Sequence, residues 1–307
     1  MKNGRLYWLF LVTLVAITAA VVPSDVHAQE KLRPEEIVAK HLDSIAAAEL
    51  RASVKSRIAA GPVVAILRAP GTAKYDGRGV LASDGNKNMI GVGFENAGQF
   101  QERFAFDGKD VTVGFARPGV RGYLGDFLIT HDNIIKEGLV GGTLSDAWPL
   151  LDSSDKKPKL EYRGIKKSGG KTLHELRYIP KGGSDLDISL YFDTETFQHV
   201  RTEYSRVISA GLGSGRVGDR GRQSGTGTAA SGAVDASGQQ RPTRYKMVEH
   251  FADFKKESGM TLPHSYKVEL EMDTRGGTFK GEWDFTLTDL AFNQKIPADT
   301  FNVGPKP

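Results

Sequence analysis

The chain of 307 residues contains no cysteine. That excludes disulfides and cysteine-bound zinc, and it excludes attachment of lipid to an N-terminal cysteine. An excess of one charge is also lacking: 41 lysines and arginines face 37 acids, a net +4, too small and too dispersed for a nucleic-acid binder. No Gly-x-Ser-x-Gly elbow occurs, so one common hydrolase signature is missing. Long apolar runs are absent apart from Leu6 to Val22. That run follows Lys2 and Arg5 and leads to Val26-His27-Ala28, so residues 1 to 28 read as a secretory signal peptide cleaved after Ala28. Cleavage removes Lys2, Arg5 and Asp25 and leaves 39 basic against 36 acidic residues. The exported remainder, about 280 residues, is long enough to be held by an apolar core alone.

Chemistry-bearing groups are scattered. The histidines beyond the leader, His41, His131, His174, His199, His250 and His264, show no ligand spacing, and no metal is expected. Gly170-Lys171-Thr172 ends like a phosphate loop, but that motif's first glycine falls at Ile165, and a hairpin rather than a helix follows. Gly211, Gly213 and Gly215 lack the strand and helix of a dinucleotide site. Asp185, Asp187, Asp193 and Glu195 cluster at a turn, where acids are normally a solvated edge. No catalytic residue and no cofactor is expected.

What is present is alternation. Pro34 with Glu35 and Glu36 opens a helix carrying Ile37, His41, Leu42, Ile45 and Ala48 at helical spacing. Strands are expected at 63 to 67, 77 to 82, 88 to 94, 99 to 106 and 111 to 116, the last two joined by an Asp107-Gly108 hairpin turn. A helix over 121 to 137, stopped by Gly138, and a second helical piece over 144 to 151, broken by Pro149, come next. Four more strands are expected at 160 to 166, 171 to 179, 186 to 192 and 199 to 208. Residues 210 to 242, Gly/Ser/Ala/Arg-rich with almost no large apolar side chain, read as a flexible insertion. Tyr245, Met247, Glu249 and Phe251 then share one parity, and after a turn Tyr266, Val268, Leu270 and Met272 share one face. A third strand is expected from Gly281 to Phe292.

This ending, a strand, Gly259-x-x-Leu262-Pro263, two further strands and Asn293-x-x-Ile296-Pro297-x-x-x-Phe301, resembles the periplasmic outer-membrane lipoprotein carrier and sorting family, the LolA/LolB-like half-barrels. The unit Phe104 to Val113 around Asp107-Gly108-Lys109 is similar to a strand, turn and strand of that family. The resemblance spans about residues 33 to 303. It implies an α+β fold: a strongly curved antiparallel β-sheet, or half-barrel, with the N-terminal helix and a helical lid on its concave side. Residues 29 to 307 would form a single domain of this kind, interrupted by the insertion at 210 to 242. The family's arginine-proline pair in the early strands, which helps lock the closed state, is missing from residues 83 to 88.

A curved sheet beneath a helical cover is expected to leave an apolar cavity. Candidate lining residues are Val64, Ile66, Val80, Ile90, Val92, Phe104, Val113, Phe115, Leu190, Phe192, Val268, Leu270 and Trp283 from the sheet, with Leu124, Phe127, Leu128 and Trp148 from the lid. The expected function is an exported, periplasmic, monomeric, non-enzymatic carrier holding a lipid or lipoprotein acyl chain, with segment 117 to 143 moving to release it. The alternative is a non-catalytic envelope protein using its sheet edge or basic loop to engage an envelope protein or membrane surface. An envelope hydrolase built on the clustered acids is a third reading.

Overall fold

The computed structural model describes residues 32–69, 71–95, 101–116, 119–151, 156–208, 243–274 and 277–304. The leader at 1 to 28 and the insertion at 210 to 242 lie outside these residues.

The chain builds one open antiparallel sheet from two meanders. The first is β1 (Ser56–Ala69), β2 (Gly71–Asp84), β3 (Lys87–Phe94), β4 (Gln101–Phe106) and β5 (Val111–Val113). The second starts at the opposite edge with β6 (Lys159–Ser168), β7 (Lys171–Ile179), β8 (Asp187–Asp193) and β9 (His199–Ile208). It continues through β10 (Thr243–Glu257), β11 (Met260–Thr274) and β12 (Gly277–Thr286). The strand order β5-β4-β3-β2-β1-β12-β11-β10-β9-β8-β7-β6 joins the meanders through β1 and β12, so the pairing of the first strand with a late one makes the sheet whole. β13 (Asp289–Phe292) pairs with the first half of β1. Among the described residues β5 and β6 do not pair with each other, so the sheet stays open.

Strand alternation gives this sheet two different faces. On one, Val63 and Ala65 of β1, Val92 of β3, Phe104 of β4, Met247 of β10, Tyr266 of β11 and Phe285 of β12 are buried in a single core. Over much of the other, ion pairs face water: Arg68 with Glu282, Lys267 with Glu282, Lys280 with Glu271 and Lys246 with Glu203 across strands, and Lys267 with Glu269 along β11. Part of that second face is covered by the C-terminal segment. Phe301, fully buried, packs with Ala82, Met89 and Ala105 there.

Curvature follows from which side chains meet. Phe104 of β4 and Met247 of β10 line the same small cavity, yet six strand spacings separate their strands, about 29 Å on a flat sheet at 4.8 Å each. Only a sheet bent into a trough brings them together. The architecture is the expected curved antiparallel half-barrel with helices on its concave side. α1 (Pro34–Ile45) packs against β11 and β6, and α3 (Tyr123–Thr130) packs against β4 and β5. The short α2 is Ala48–Ser53 and α4 is Asn133–Lys136.

Four local expectations are corrected. The single helix over 121 to 137 is interrupted at His131-Asp132, where His131 is buried with Nδ1 3.1 Å from Asp185 and leaves helical geometry. The piece at 144 to 151 is a 3-10 turn, Gly142–Leu144, followed by tight turns. Its polar backbone groups bond to the sheet: Thr143 O accepts from Arg57 (2.6 Å) and Asp146 N donates to Ser83 Oγ (2.9 Å). The strand expected from 281 to 292 is divided: β12 starts earlier and ends at Thr286, and the chain steps across to pair as β13. The turn after β10 falls at Ser258-Gly259, so Leu262 and Pro263 belong to β11.

The step from β12 to β13 needs glycine at its hinge. Thr288 N donates to Ala60 O, and a Cβ on the neighbouring Gly61 would lie 1.9 Å from Thr286 O, a backbone atom that cannot yield locally. Replacing Gly61 with alanine must separate β1 from β12 at the joint between the meanders. We expect Gly61→Ala to lower unfolding free energy by about 3 kcal/mol, read as the shift in urea midpoint. A midpoint unchanged from the parent would refute the role given to this contact.

Candidate ligand cavity

α3 can lie close to β4 and β5 because glycines face the sheet. The Cβ direction of Gly125 points at Val113 (3.2 Å) and Phe104 (3.5 Å), so the helix sits low enough for Leu124 and Leu128 to face inward. With Val140 from the cover they close a cavity whose floor is Ile90, Val92, Phe104, Met247, Tyr266, Val268, Trp283 and Phe285. The void open to the centre of a water-sized sphere is about 20 Å³, roughly one such sphere. The lining side chains are apolar except for the Tyr266 hydroxyl, which is bonded elsewhere, and the indole N–H of Trp283.

Beside the cavity the concave side is packed by a chain of stacked and tilted rings. Trp148 stacks on His199 (centroids 4.6 Å), His199 meets Phe251 (4.7 Å), Phe251 stacks on Tyr266 (5.3 Å), and Tyr266 meets Phe285 (5.2 Å). His41 of α1 fits among them, with Nδ1 3.1 Å from Phe197 O, and Trp148 Nε1 donates to its Nε2 at 3.4 Å. Burial holds His41 down at about 4 and His199 well below the ordinary histidine range. Both are neutral core residues. Among the described residues no three His, Asp or Glu side chains converge as metal ligands would.

Two buried carboxyls bind the cover to the trough. Glu249 of β10, fully buried, accepts from Gly141 N (2.8 Å) and Tyr266 Oη (2.6 Å) on Oε1 and from Tyr204 Oη (2.7 Å) on Oε2. Burial pushes this carboxyl up to about 7 against the pull of those three donors. Asp146 of the cover lies 2.6 Å from Arg57 of β1, both side chains buried. Burial raises Asp146 to about 6, with Arg57 drawing the other way. An arginine holding the cover is therefore present at Arg57, in β1, and not at residues 83 to 88.

The expected lining residues separate into groups. Ile90, Val92, Phe104, Leu124, Leu128, Val268 and Trp283 line the cavity. Val113, Phe127 and Leu270 are buried around it without lining it, while Trp148, Leu190 and Phe192 belong to the solid core. Ile66 and Val80, with Val64, are out of phase: their buried neighbours Ala65 and Leu81 take the concave side, and Val80 packs under Phe301 on the other face. Phe115 is 37% exposed beneath the Arg121 guanidinium. Val140, Met247, Tyr266 and Phe285 were missed, although the parity of Met247 with Phe251 and of Tyr266 with Val268 already placed two of them on the dry face.

No protein-family model matches this chain, and no curated protein matches it. Solved structures are similar to it at low identity. A LolA superfamily protein from Nitrosomonas europaea is 14% identical, with 88% of this chain and 97% of that one covered and a TM-score of 0.44. A protein described as an outer membrane lipoprotein-sorting domain, from Vibrio parahaemolyticus, is 12% identical over 86% and 97%, with a TM-score of 0.40. A DUF1329 family protein from Desulfovibrio piger is 10% identical over 87% and 96%, with a TM-score of 0.37.

The buried acids fix a pH dependence. Glu249 and Glu102, the latter pushed up to about 8 by burial and by the charge of Asp126, have folded values above their unfolded ones. Their contribution is complete below pH 4.5 and is lost as pH rises through 7 and 8. His41 and His199, shifted down, act in the opposite sense up to pH 6.5 and offset the acids there. Above pH 6.5 the histidines' opposing contribution fades and the acids dominate, so stability should fall by about 1 to 2 kcal/mol between pH 6.5 and 8. Urea midpoints that rise over this interval would contradict the assignment. Glu249→Gln, which keeps an acceptor for Gly141 and Tyr266, should cost less than about 1 kcal/mol. Glu249→Leu strands three buried donors and should cost about 3 kcal/mol, measured by the same denaturation.

Proposed function

We propose that this protein is an exported, non-enzymatic carrier that takes the hydrocarbon chain of a lipid or lipoprotein into the trough and gives it up when the cover lifts. The observation that supports this most is the pairing of an apolar void with a cover held by separable polar ties. The cover segment 139 to 148 is not a helix packed by grease alone. It is tied at Gly141 to Glu249, and at Thr143 and Asp146 to Arg57.

In the closed form there is no room for a chain. Pockets for drug-sized ligands run to about 300–1,000 Å³, and the void is about 20 Å³. Entry requires Leu124, Leu128 and Val140 to move away from the floor, which widens the void along the trough between β3 and β12. A sixteen-carbon chain gains on the order of 12 kcal/mol gross on complete burial at about 0.8 kcal/mol per methylene. Ordering, association and the breaking of the two ties reduce that heavily, and micromolar holding remains within reach. No covalent step is needed, and the acids at 185 to 195 serve structure: Asp187 pairs with Arg163 and Arg177, while Asp193 caps its own turn through Glu195 N and Thr196 N.

The sheet edge offers less to a partner. β6 carries Lys159, Arg163, Lys166 and Lys167 exposed and is irregular at Gly164, the features that discourage strand addition.

The test is direct. Protein made with its leader in a bacterial periplasm and purified without detergent should carry lipid, seen by native mass spectrometry. After delipidation it should enhance the fluorescence of a hydrophobic dye. Val140→Phe, which fills the void from the cover, should weaken dye binding about tenfold, and Arg57→Met, which loosens the cover, should speed exchange. Absence of both bound lipid and dye uptake would end the carrier reading.

A further inference from the structure

Two buried polar groups, one lining the cavity and one beside residues that line it, each have an atom with no hydrogen-bond partner. Trp283 is 2% exposed and lines the void, and its Nε1 is buried without an acceptor. The indole's Cη2–Cζ3 edge leans over Gly281, 2.6 and 2.7 Å from where a Cβ would stand. The opposite edge, which carries Nε1, is therefore turned away from Gly281. Glu102 is 3% exposed on the concave face of β4. Its cross-strand partner Val92 and its next same-face neighbour Phe104 both line the void. Gly122 at the start of α3 presses on its Oε1, while Oε2 has no partner. The charge that acts on Glu102 is that of another acid, Asp126.

We infer that these two groups form a polar subsite at the edge of the apolar cavity: Trp283 Nε1–H and the Glu102 carboxyl receive oxygen acceptors carried by the ligand, so the ligand class is an uncharged acyl ester. This rests on the carrier reading and adds the chemistry of the ligand's polar end. An indole nitrogen can only donate, so it calls for an acceptor. Burial keeps a proton on Glu102 at neutral pH, its value lying at about 8, so the carboxyl also presents a donor. A bare hydrocarbon would leave both unpaired. A cationic head would have to ionise Glu102 where desolvation opposes it, and it would meet only donors at the indole. An ester supplies two acceptor oxygens and no charge, and it can follow its chain under the cover without desolvating an ion.

Competition against a bound hydrophobic dye tests this with the full chain at pH 6.5, using methyl laurate, dodecane and dodecylamine as chain-matched probes. Trp283→Phe keeps the ring and removes the N–H. It should weaken methyl laurate about five- to tenfold, the range of one net hydrogen bond, and change dodecane less than about twofold. Glu102→Leu should act on methyl laurate in the same way. Glu102→Gln, which still offers a donor, should retain most of the affinity and guards against a mere folding defect in the leucine variant. Equal losses for ester and alkane in Trp283→Phe would mean that the indole only packs, and would overturn the inference while leaving the carrier reading intact. Dodecylamine outcompeting methyl laurate, with that advantage lost in Glu102→Gln, would overturn it in favour of an ionised carboxylate. If the parent takes up neither dye nor any probe, the carrier reading falls and the subsite with it.

Discussion

The Glu249 carboxyl is the point on which the interior depends. Three donors from three parts of the chain converge on it: a hydroxyl from β9, a hydroxyl from β11 and a backbone N–H from the cover. A lone carboxyl at full burial would be strongly disfavoured, and this one is tolerated because each oxygen is engaged and because it can hold a proton at little loss. If the proton resides on Oε2, the Tyr204 hydroxyl turns to accept, and Oε1 keeps Gly141 and Tyr266. The tie to the cover thus survives in either charge state. Tyr266 is also a wall of the cavity, so the network that fixes the cover fixes the floor beneath it.

That network has value only if the trough has a fixed shape, and the shape is set where the two meanders meet. Gly61 and Gly79 lie opposite one another in β1 and β2. A Cβ on Gly79 would stand 2.4 Å from the Phe285 ring, so the missing side chain is the space that Phe285 occupies. Bulk concentrated on β10 to β12, in Met247, Tyr266, Trp283 and Phe285, faces its absence on β1 and β2, in Gly61, Gly79 and Ala65. Side chains large on one wall and missing on the adjoining one bend a sheet toward the small side. The curvature that brings β4 and β10 to one void is written in this asymmetry.

Much of this was legible from period two. The Asp107-Gly108 hairpin, β7, β9 and the long β10 to β11 pair stand close to where alternation put them, and Asp107 accepts from Lys109 N and Asp110 N as such turns require. The errors have a common cause. In 59 to 69, Ala-Ala-Gly-Pro-Val-Val-Ala-Ile-Leu-Arg-Ala, apolar residues occupy both parities, so the sequence carries no phase there. The large Val64 and Ile66 look like core, but the small Ala65 holds the inner position because Trp283 lies opposite it. Val80 was misplaced because the second face is also dry where the C-terminal turn covers it. A tail returning over a sheet leaves no periodic trace in the strand that it covers. Glu102 and Glu249 were beyond reach for another reason: a carboxyl in an alternating strand reads as the wet face, and only the partners around it show that it is dry.

The same reasoning explains why the cover is not the helix that its composition suggests. Leu139 to Leu151 has enough apolar residues for a helical stripe, but Gly138, Gly141 and Gly142 adopt positive φ, which a helix cannot use and which residues with side chains adopt at a penalty. The segment is held in successive tight turns, with Gly142 N bonded to Leu139 O and Leu144 N to Gly141 O, and it spends other backbone groups on the sheet, Gly141 N on Glu249 and Thr143 O on Arg57. The bonds that must break for the cover to rise are therefore the few to the sheet, from Gly141 to Glu249 and from Thr143 and Asp146 to Arg57, while its own turns can stay intact. In the carrier proposed above, the apolar floor would set how strongly a chain is held, and the Gly141 and Arg57 ties would set when the cover lets it go.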